Sequence, residues 1–199
     1  MSKPSEERAL VLVLHEIYGV NDHIRAFDEA LTKAGYDTIS PNLLGRECFS
    51  YEQEEEAYSF FMNEIGFDRA LQAIKPIIEE NRDSYRRIYI VGFSIGATLA
   101  WRCSEYGIDG VVGYYGSRIR SYMEVDPQCP ALLIFASRER SFDASELASR
   151  LRKKRNTEAE VFGAGHGFMN PFHPAFDSAG YRRGLDRTLE FLVQKRGLP

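Results

Sequence analysis

Two kinds of apolar run alternate along the chain. Ala9-Leu-Val-Leu-Val-Leu14 is apolar without a break, the pattern of a strand buried on both faces of a parallel sheet. Asn21 or Asp22 then offers a helix cap. Ile24, Phe27, Leu31 and Ala34 recur at helical spacing, and Gly35 stops that helix. Residues 36–40 predict a second short strand closed by Pro41, and 42–50 a loop containing Gly45. Residues 51–63 predict a helix whose acidic face, Glu52, Glu54, Glu55 and Glu56, reads as solvated. A second helical stripe follows in Phe67, Ala70, Leu71, Ile74, Ile77 and Ile78. Gly66 breaks or bends the chain between the two helices, and Pro76 is placed to kink the second.

The second half repeats the alternation. Short apolar strands are predicted at 88–91, 109–115, 131–136 and 158–162. Helices are predicted from Ala97 to Trp101, on Ala144, Leu147, Ala148 and Leu151, and on Leu185, Leu189 and Leu192. Strands that alternate with helices predict a mostly parallel sheet covered by helices on both faces. No internal repeat, low-complexity tract or linker interrupts the pattern, so 1–199 reads as a single α/β domain, a length that suits one well-filled core.

Composition changes this picture little. It is that of a soluble globular protein, 44% hydrophobic and 27% charged. A net charge of −4 gives no electrostatic reason to expect nucleic acid as a partner. No apolar run reaches membrane-spanning length, and the polar segment 1–8 has no signal-peptide apolar region, so no membrane association is expected. Cys48, Cys103 and Cys129 lack metal-type spacing and are odd in number; free thiols and a cytoplasmic location are expected.

The chemistry lies at strand ends. Gly92-Phe-Ser-Ile-Gly96 is G-x-S-x-G between a strand and a helix. A serine on a turn that sharp projects its hydroxyl, and the crowded flanks call for glycine on either side. The helix that follows points free N–H groups at the same spot. Other reactive residues also follow strands: Glu16 after the first, Glu139 after the fifth and His166 after the sixth, the last in a Gly-rich segment. In an open parallel sheet these carboxyl ends share one edge, where sites lie.

A serine hydroxyl needs a base within hydrogen-bond reach and a third group to orient that base. The chain order Ser94, acid, His166 is that of an α/β-hydrolase triad. Of the other histidines, His15 lies by the first strand's end, His23 at a helix start and His173 between prolines. Glu139 is the favoured acid. Asp143 competes, although a helix cap accounts for it. An ion pair with Arg138 or Arg140 is the bland account of Glu139. Two oxyanion donors are expected from backbone N–H groups, at Ile95 after the serine and at Ile17 after the first strand.

The segments His15-Glu-Ile-Tyr-Gly-Val-Asn-Asp-His-Ile-Arg25, Gly92-Phe-Ser-Ile-Gly96, Gly113-Tyr-Tyr-Gly116 and Ala164-Gly-His-Gly-Phe168 resemble the dienelactone hydrolase family of α/β-hydrolases, and the similarity runs from about Leu10 to the final helix. The resemblance implies Ser94 as nucleophile, His166 as base, Glu139 where the family usually has aspartate, and Ile17 and Ile95 as oxyanion donors. It also implies that Glu16 matches a glutamate which contacts the nucleophile in the founding members. The founders use cysteine where this chain has Ser94, and a hydroxyl lacks the low pKa that lets a thiolate pair with an acid; Glu16 is then a polar anchor for the oxyanion loop. The family's lactone-binding arginines have no counterpart, with Asn170 and Glu54 in the corresponding regions. The first strand corresponds to the third of the full sheet, which implies a compact fold of about six strands without the antiparallel entry hairpin.

The expected activity is hydrolysis of a small carboxylic ester, thioester or lactone through an acyl-enzyme, without metal or organic cofactor, by a monomer or homodimer. The alternatives are a non-catalytic protein of the same fold that binds a small molecule or partner, and a nucleotide-binding sheet, against which the missing G-x-G-x-x-G argues. Tyr18, Phe93, Tyr115 and Phe168 flank the expected site; core packing is the first account of each.

Overall fold

A computed structural model describes residues 8–196. Its strands are β1 (Ala9–Leu14), β2 (Asp37–Ile39), β3 (Arg87–Phe93), β4 (Gly110–Tyr114), β5 (Ala131–Arg138) and β6 (Thr157–Gly165). They form one six-stranded sheet in the order β2-β1-β3-β4-β5-β6, with every neighbour pair parallel. The helices are α1 (Asp22–Lys33), α2 (Glu54–Phe60), α3 (Gly66–Asn81), α4 (Ile95–Cys103), α5 (Ala144–Leu151) and α6 (Ser178–Arg196). Among the described residues no strand precedes Ala9.

Side chains of a strand alternate between faces, so the unbroken apolar run of β1 feeds two cores at once. Leu10, Leu12 and Leu14 belong to one core layer, which also holds Ile74 of α3, Leu99 of α4 and Leu147 of α5. Ala9, Val11 and Val13 pack on the other face with Ile24, Phe27 and Leu31 of α1 and with Phe191 and Leu192 of α6. The two helical layers therefore follow directly from the period-2 pattern. The Tyr114 hydroxyl fastens α6 to the sheet by donating to the Gly184 carbonyl at 2.6 Å.

Several boundaries differ from the sequence reading. The strand predicted at 88–91 runs to Phe93, and those at 131–136 and 158–162 run to Arg138 and Gly165. Each extension is polar or Gly-bearing, so the apolar run ends before the backbone pairing does. The helix predicted at 51–63 is three pieces: a 3-10 turn at Tyr51–Gln53, α2, and a π-helical stretch at Phe61–Ile65. Gly66 breaks the chain there with φ 69°. Pro76 lies inside α3, which continues through it.

The tightest backbone packing surrounds Ser94. The residue has φ 52° and ψ −110°, left-handed for a non-glycine, and such strain costs about 1–3 kcal/mol. A Cβ on Gly92 would stand 2.1 Å from the Gly96 carbonyl oxygen, and one on Gly96 would stand 2.2 Å from the Leu14 carbonyl oxygen. The start of α4 thus lies directly against the end of β1. The Ser94 N–H donates to the Tyr114 carbonyl at 2.9 Å, which ties the turn to β4 as well. Gly96→Ala must therefore separate two backbones and is expected to cost about 3 kcal/mol or more, or to prevent folding. Gly163→Ala, where an added Cβ meets nothing within 4 Å, is expected to unfold like the native chain. Urea denaturation of both variants checks the contrast.

Candidate active site

The strand ends assemble the expected residues. Ser94 follows β3, Glu139 follows β5 and His166 follows β6. His166 Nε2 lies 3.1 Å from Ser94 Oγ. Its Nδ1 lies 2.9 and 3.2 Å from the two Glu139 oxygens. With Nδ1–H donating to the carboxylate, Nε2 is left as the acceptor that faces the serine hydroxyl. Burial pushes the His166 imidazole toward its neutral form. The hydrogen bond and charge of Glu139, with the charges of Glu16 and Glu54, outweigh it, so the ring titrates above its ordinary value.

Asp143 does not reach this arrangement. Its Oδ1 accepts from the N–H groups of Ser145 and Glu146 at 2.8 and 3.0 Å and caps α5. Glu139 is also no surface ion pair: its side chain is 5% exposed and faces His166, while Arg138 donates to the Gly163 carbonyl at 3.1 Å.

Behind the serine lies a buried polar cluster. Glu16, 4% exposed, accepts from the Tyr115 hydroxyl at 3.0 Å and from Asn170 Nδ2 at 3.1 Å. Its Oε2 lies 3.6 Å from His23 Nδ1. Burial alone would favour the neutral acid. His23, His166 and the Tyr115 hydroxyl favour the carboxylate and hold the pKa down to about 2. Asn170 is itself held by the Tyr51 hydroxyl, which Asn21 Nδ2 also contacts at 3.1 Å. The Tyr115 ring, left-handed at φ 42°, packs 4.8 Å from the His166 ring. Tyr115 therefore belongs to the site, whereas Phe93 and Phe168 are core residues beneath it. The aromatic pattern alone does not separate these roles, and nothing in the sequence pairs Asn170, Tyr51 and His23 with Glu16.

His15 is structural. Its Nε2 accepts from the Leu43 N–H at 3.0 Å, which puts the ring proton on Nδ1, where it donates to the Glu16 carbonyl. Burial lowers its pKa to about 4. Cys103 and Cys129 are buried free thiols pushed up to about 12 by burial.

Ser94 and His166 open into a cavity of about 720 Å³. Ile17 and Ile95 line it beside the serine, as do Glu16 and Tyr18. One wall is Glu54, Tyr58 and Met62, spaced four residues apart on α2 and the π-helical stretch. Glu54 is exposed, as the reading of a solvated face expects, and it also lines the cavity. Arg118 lies opposite and donates to the Tyr58 hydroxyl. Among the described residues no group of three or more His, Cys, Asp and Glu could hold a metal ion, and no helix is long and apolar enough to cross a membrane.

The strand order and the strained turn around Ser94 are those of an α/β-hydrolase. Within that class the chain belongs to the dienelactone hydrolase family, whose model matches residues 1–195. It is 41% identical over 182 residues to the uncharacterised protein YczH of Bacillus subtilis (strain 168), covering 89% of this chain and 87% of that one. It is 25% identical over 210 residues to carboxymethylenebutenolidase 1 of Cupriavidus pinatubonensis, covering 97% and 89%. Among solved structures it is similar to a dienelactone hydrolase-like promiscuous phosphotriesterase from metagenomic libraries. There the TM-score is 0.75 at 15% identity, over 98% of this chain and 88% of the other.

The His15 geometry sets a pH dependence of stability. The folded ring titrates near 4, below the ordinary value of 6.5, so the unfolded chain binds a proton that the folded chain refuses. The contribution is fully present above pH 6.5 and is lost as pH falls towards 4, by at most about 3 kcal/mol. His15→Asn is expected to be less stable at pH 7.5 but to lose less between pH 6.5 and 4. Urea midpoints across that range measure the difference in slope.

Proposed function

We propose that the protein hydrolyses small carboxylic esters, thioesters or lactones through a serine acyl-enzyme. The observation that carries this reading is the continuous chain of contacts from Glu139 through His166 to the hydroxyl of Ser94. Ser94 Oγ attacks the acyl carbon and its proton passes to His166 Nε2. Glu139 orients the ring and stabilises the imidazolium that forms. The N–H groups of Ile17 and Ile95 receive the negative charge on the former carbonyl oxygen. Collapse of that intermediate expels the alcohol or thiol, which takes the proton from His166. Water, deprotonated by the same nitrogen, then attacks the acyl-enzyme, and collapse of that intermediate releases the acid as His166 returns the proton to Ser94 Oγ.

Membership in a hydrolase family supports the reaction class. The substrate of the carboxymethylenebutenolidase relative does not transfer with it. Asn170, four residues after His166, is committed to Glu16 and Tyr51, and Glu54 brings a negative charge to the cavity wall.

Ser94→Ala is expected to lower turnover of a short activated ester at least ~10³-fold and to abolish labelling by a fluorophosphonate. Undiminished turnover in that variant overturns the proposal, and the alternative of a non-catalytic binding protein then stands.

The acid limb of kcat/KM reports the free-enzyme base, here a His166 held above its ordinary value chiefly by Glu139 against burial. Activity is therefore present above that limb and lost as pH falls through it. Glu139→Gln is expected to move the limb to lower pH and to reduce kcat ~10²–10⁴-fold. The pH–rate profiles of the two proteins provide the check.

A further inference from the structure

The proposed reaction leaves one buried acid–base pair without a task, Glu16 with His23. Glu16 follows β1, and His23 lies in the first turn of α1. The two residues bracket the loop that carries Ile17. His23 is 1% exposed, and its ring sits edge-on against Phe93 with centroids 4.5 Å apart. Phe93 is the residue before Ser94, so the ring packs against the base of the turn itself.

Neither ring nitrogen of His23 has a hydrogen-bond partner in the structure. An imidazole buried in that condition is costly unless its polarity is matched nearby. The group in ion-pair range is Glu16, whose Oε2 stands 3.6 Å from Nδ1, longer than a formed hydrogen bond. Glu16 has the converse need. Its neutral donors, Tyr115 and Asn170, supply one hydrogen bond to each oxygen, and two neutral donors compensate a fully buried carboxylate poorly.

We propose that His23 is a positioning residue for the hydrolytic reaction: its Nδ1–H faces and pins the Glu16 carboxylate, and through it the loop that presents the Ile17 N–H beside Ser94. This rests on the hydrolytic reading of Ser94. The pair acts on both charges that form in the reaction. The Glu16 carboxylate favours an imidazolium on His166, and its charge raises the affinity of that ring for a proton. Left uncompensated, the same charge would repel the oxyanion gathering at Ile17 and Ile95. A proton shared towards Glu16 from the far side offsets that repulsion and fixes which way the carboxylate points.

The groups that face the pair come from every neighbouring element. Glu16 is faced by His23 from α1, by Tyr115 after β4, by His166 and Asn170 after β6, and its charge also reaches His15, Tyr18 and Tyr51. His166 is faced by Glu139 after β5 and Glu54 of α2 besides Glu16.

His23→Phe fills the same space and keeps an edge for Phe93 but has no N–H. His23→Asn is the conservative variant, because its amide N–H can occupy the position of Nδ1–H. The Phe variant is expected to lose about tenfold or more in kcat on a short activated ester, with KM changed less than about twofold. Its acid limb is expected to move to lower pH, because Glu16 then keeps its proton longer and no longer charges the space beside His166. The Asn variant is expected to recover most of both effects. A Phe variant with kcat within about twofold of native and an unmoved limb overturns the proposal. So does a folded Asn variant that recovers neither effect.

Should the Phe variant fail to fold, imidazole nitrogen-15 NMR of the native protein decides alone. A proton on His23 Nδ1 is expected at neutral pH, and a neutral ring protonated only at Nε2 overturns the assignment. That spectrum is independent of turnover. Loss of the hydrolytic reading through Ser94→Ala is therefore distinguishable from loss of this one.

Discussion

The structure turns on one close backbone approach, that of Gly96 at the start of α4 to the Leu14 carbonyl at the end of β1. No side chain fits between them. This contact places the serine turn next to the loop that leaves β1, so Ser94, Ile95 and Ile17 meet in one place. It also leaves Ser94 left-handed, a conformation the residue would not hold in isolation. The two core layers supply the restraint. β1 feeds both cores, as does β3 beyond Arg87, and the two are paired in register from Ala9 opposite Arg87 to Leu14 opposite Gly92.

Around that contact the sheet distributes two carboxylates with different surroundings. Glu139 stands beside a half-buried imidazole that opens to the cavity. Glu16 is enclosed, with one hydrogen bond to each oxygen, from Tyr115 and Asn170, and His23 beyond. In the proposed mechanism the first orients the His166 ring and stabilises the charge it gains. The second is a fixed charge whose value lies in staying where it is.

How much of this was legible in the sequence follows from the range of each interaction. The β1 run, the Ile24, Phe27 and Leu31 stripe of α1 and the glycines around Ser94 are local patterns that the structure keeps; of the two cap candidates it uses Asn21, and Ala34 is an exposed C-cap outside the stripe. Ser94, Glu139 and His166 could be named because each sits just past a strand of a parallel sheet, and topology brings such ends together. The Glu16 cluster could not be derived in the same way. Asn170 lies 154 residues from Glu16 and Tyr51 lies 119 from Asn170, and no periodicity links them. The place of Glu54 at the cavity, on a face that is exposed as expected, was hidden for a related reason. A helical stripe identifies which face is buried, but it does not tell bulk solvent from a cavity on the exposed side.

The exchange of cysteine for serine can be argued from the same geometry. A thiol can pass its proton to a nearby carboxylate because the two affinities lie within a few units of each other. A serine hydroxyl holds its proton far more tightly, and a carboxylate held down to about 2 by its neighbours is a poor acceptor for it. Glu16 therefore cannot activate Ser94 directly. In the proposed mechanism His166 takes that part, its Nε2 turned to the hydroxyl while Glu139 occupies the other nitrogen. In that mechanism, with the base supplied from β6, the glutamate behind Ser94 is free to serve the loop and the field around it. The ring of His23, placed against Phe93 one residue from the serine, gives that glutamate a fixed orientation.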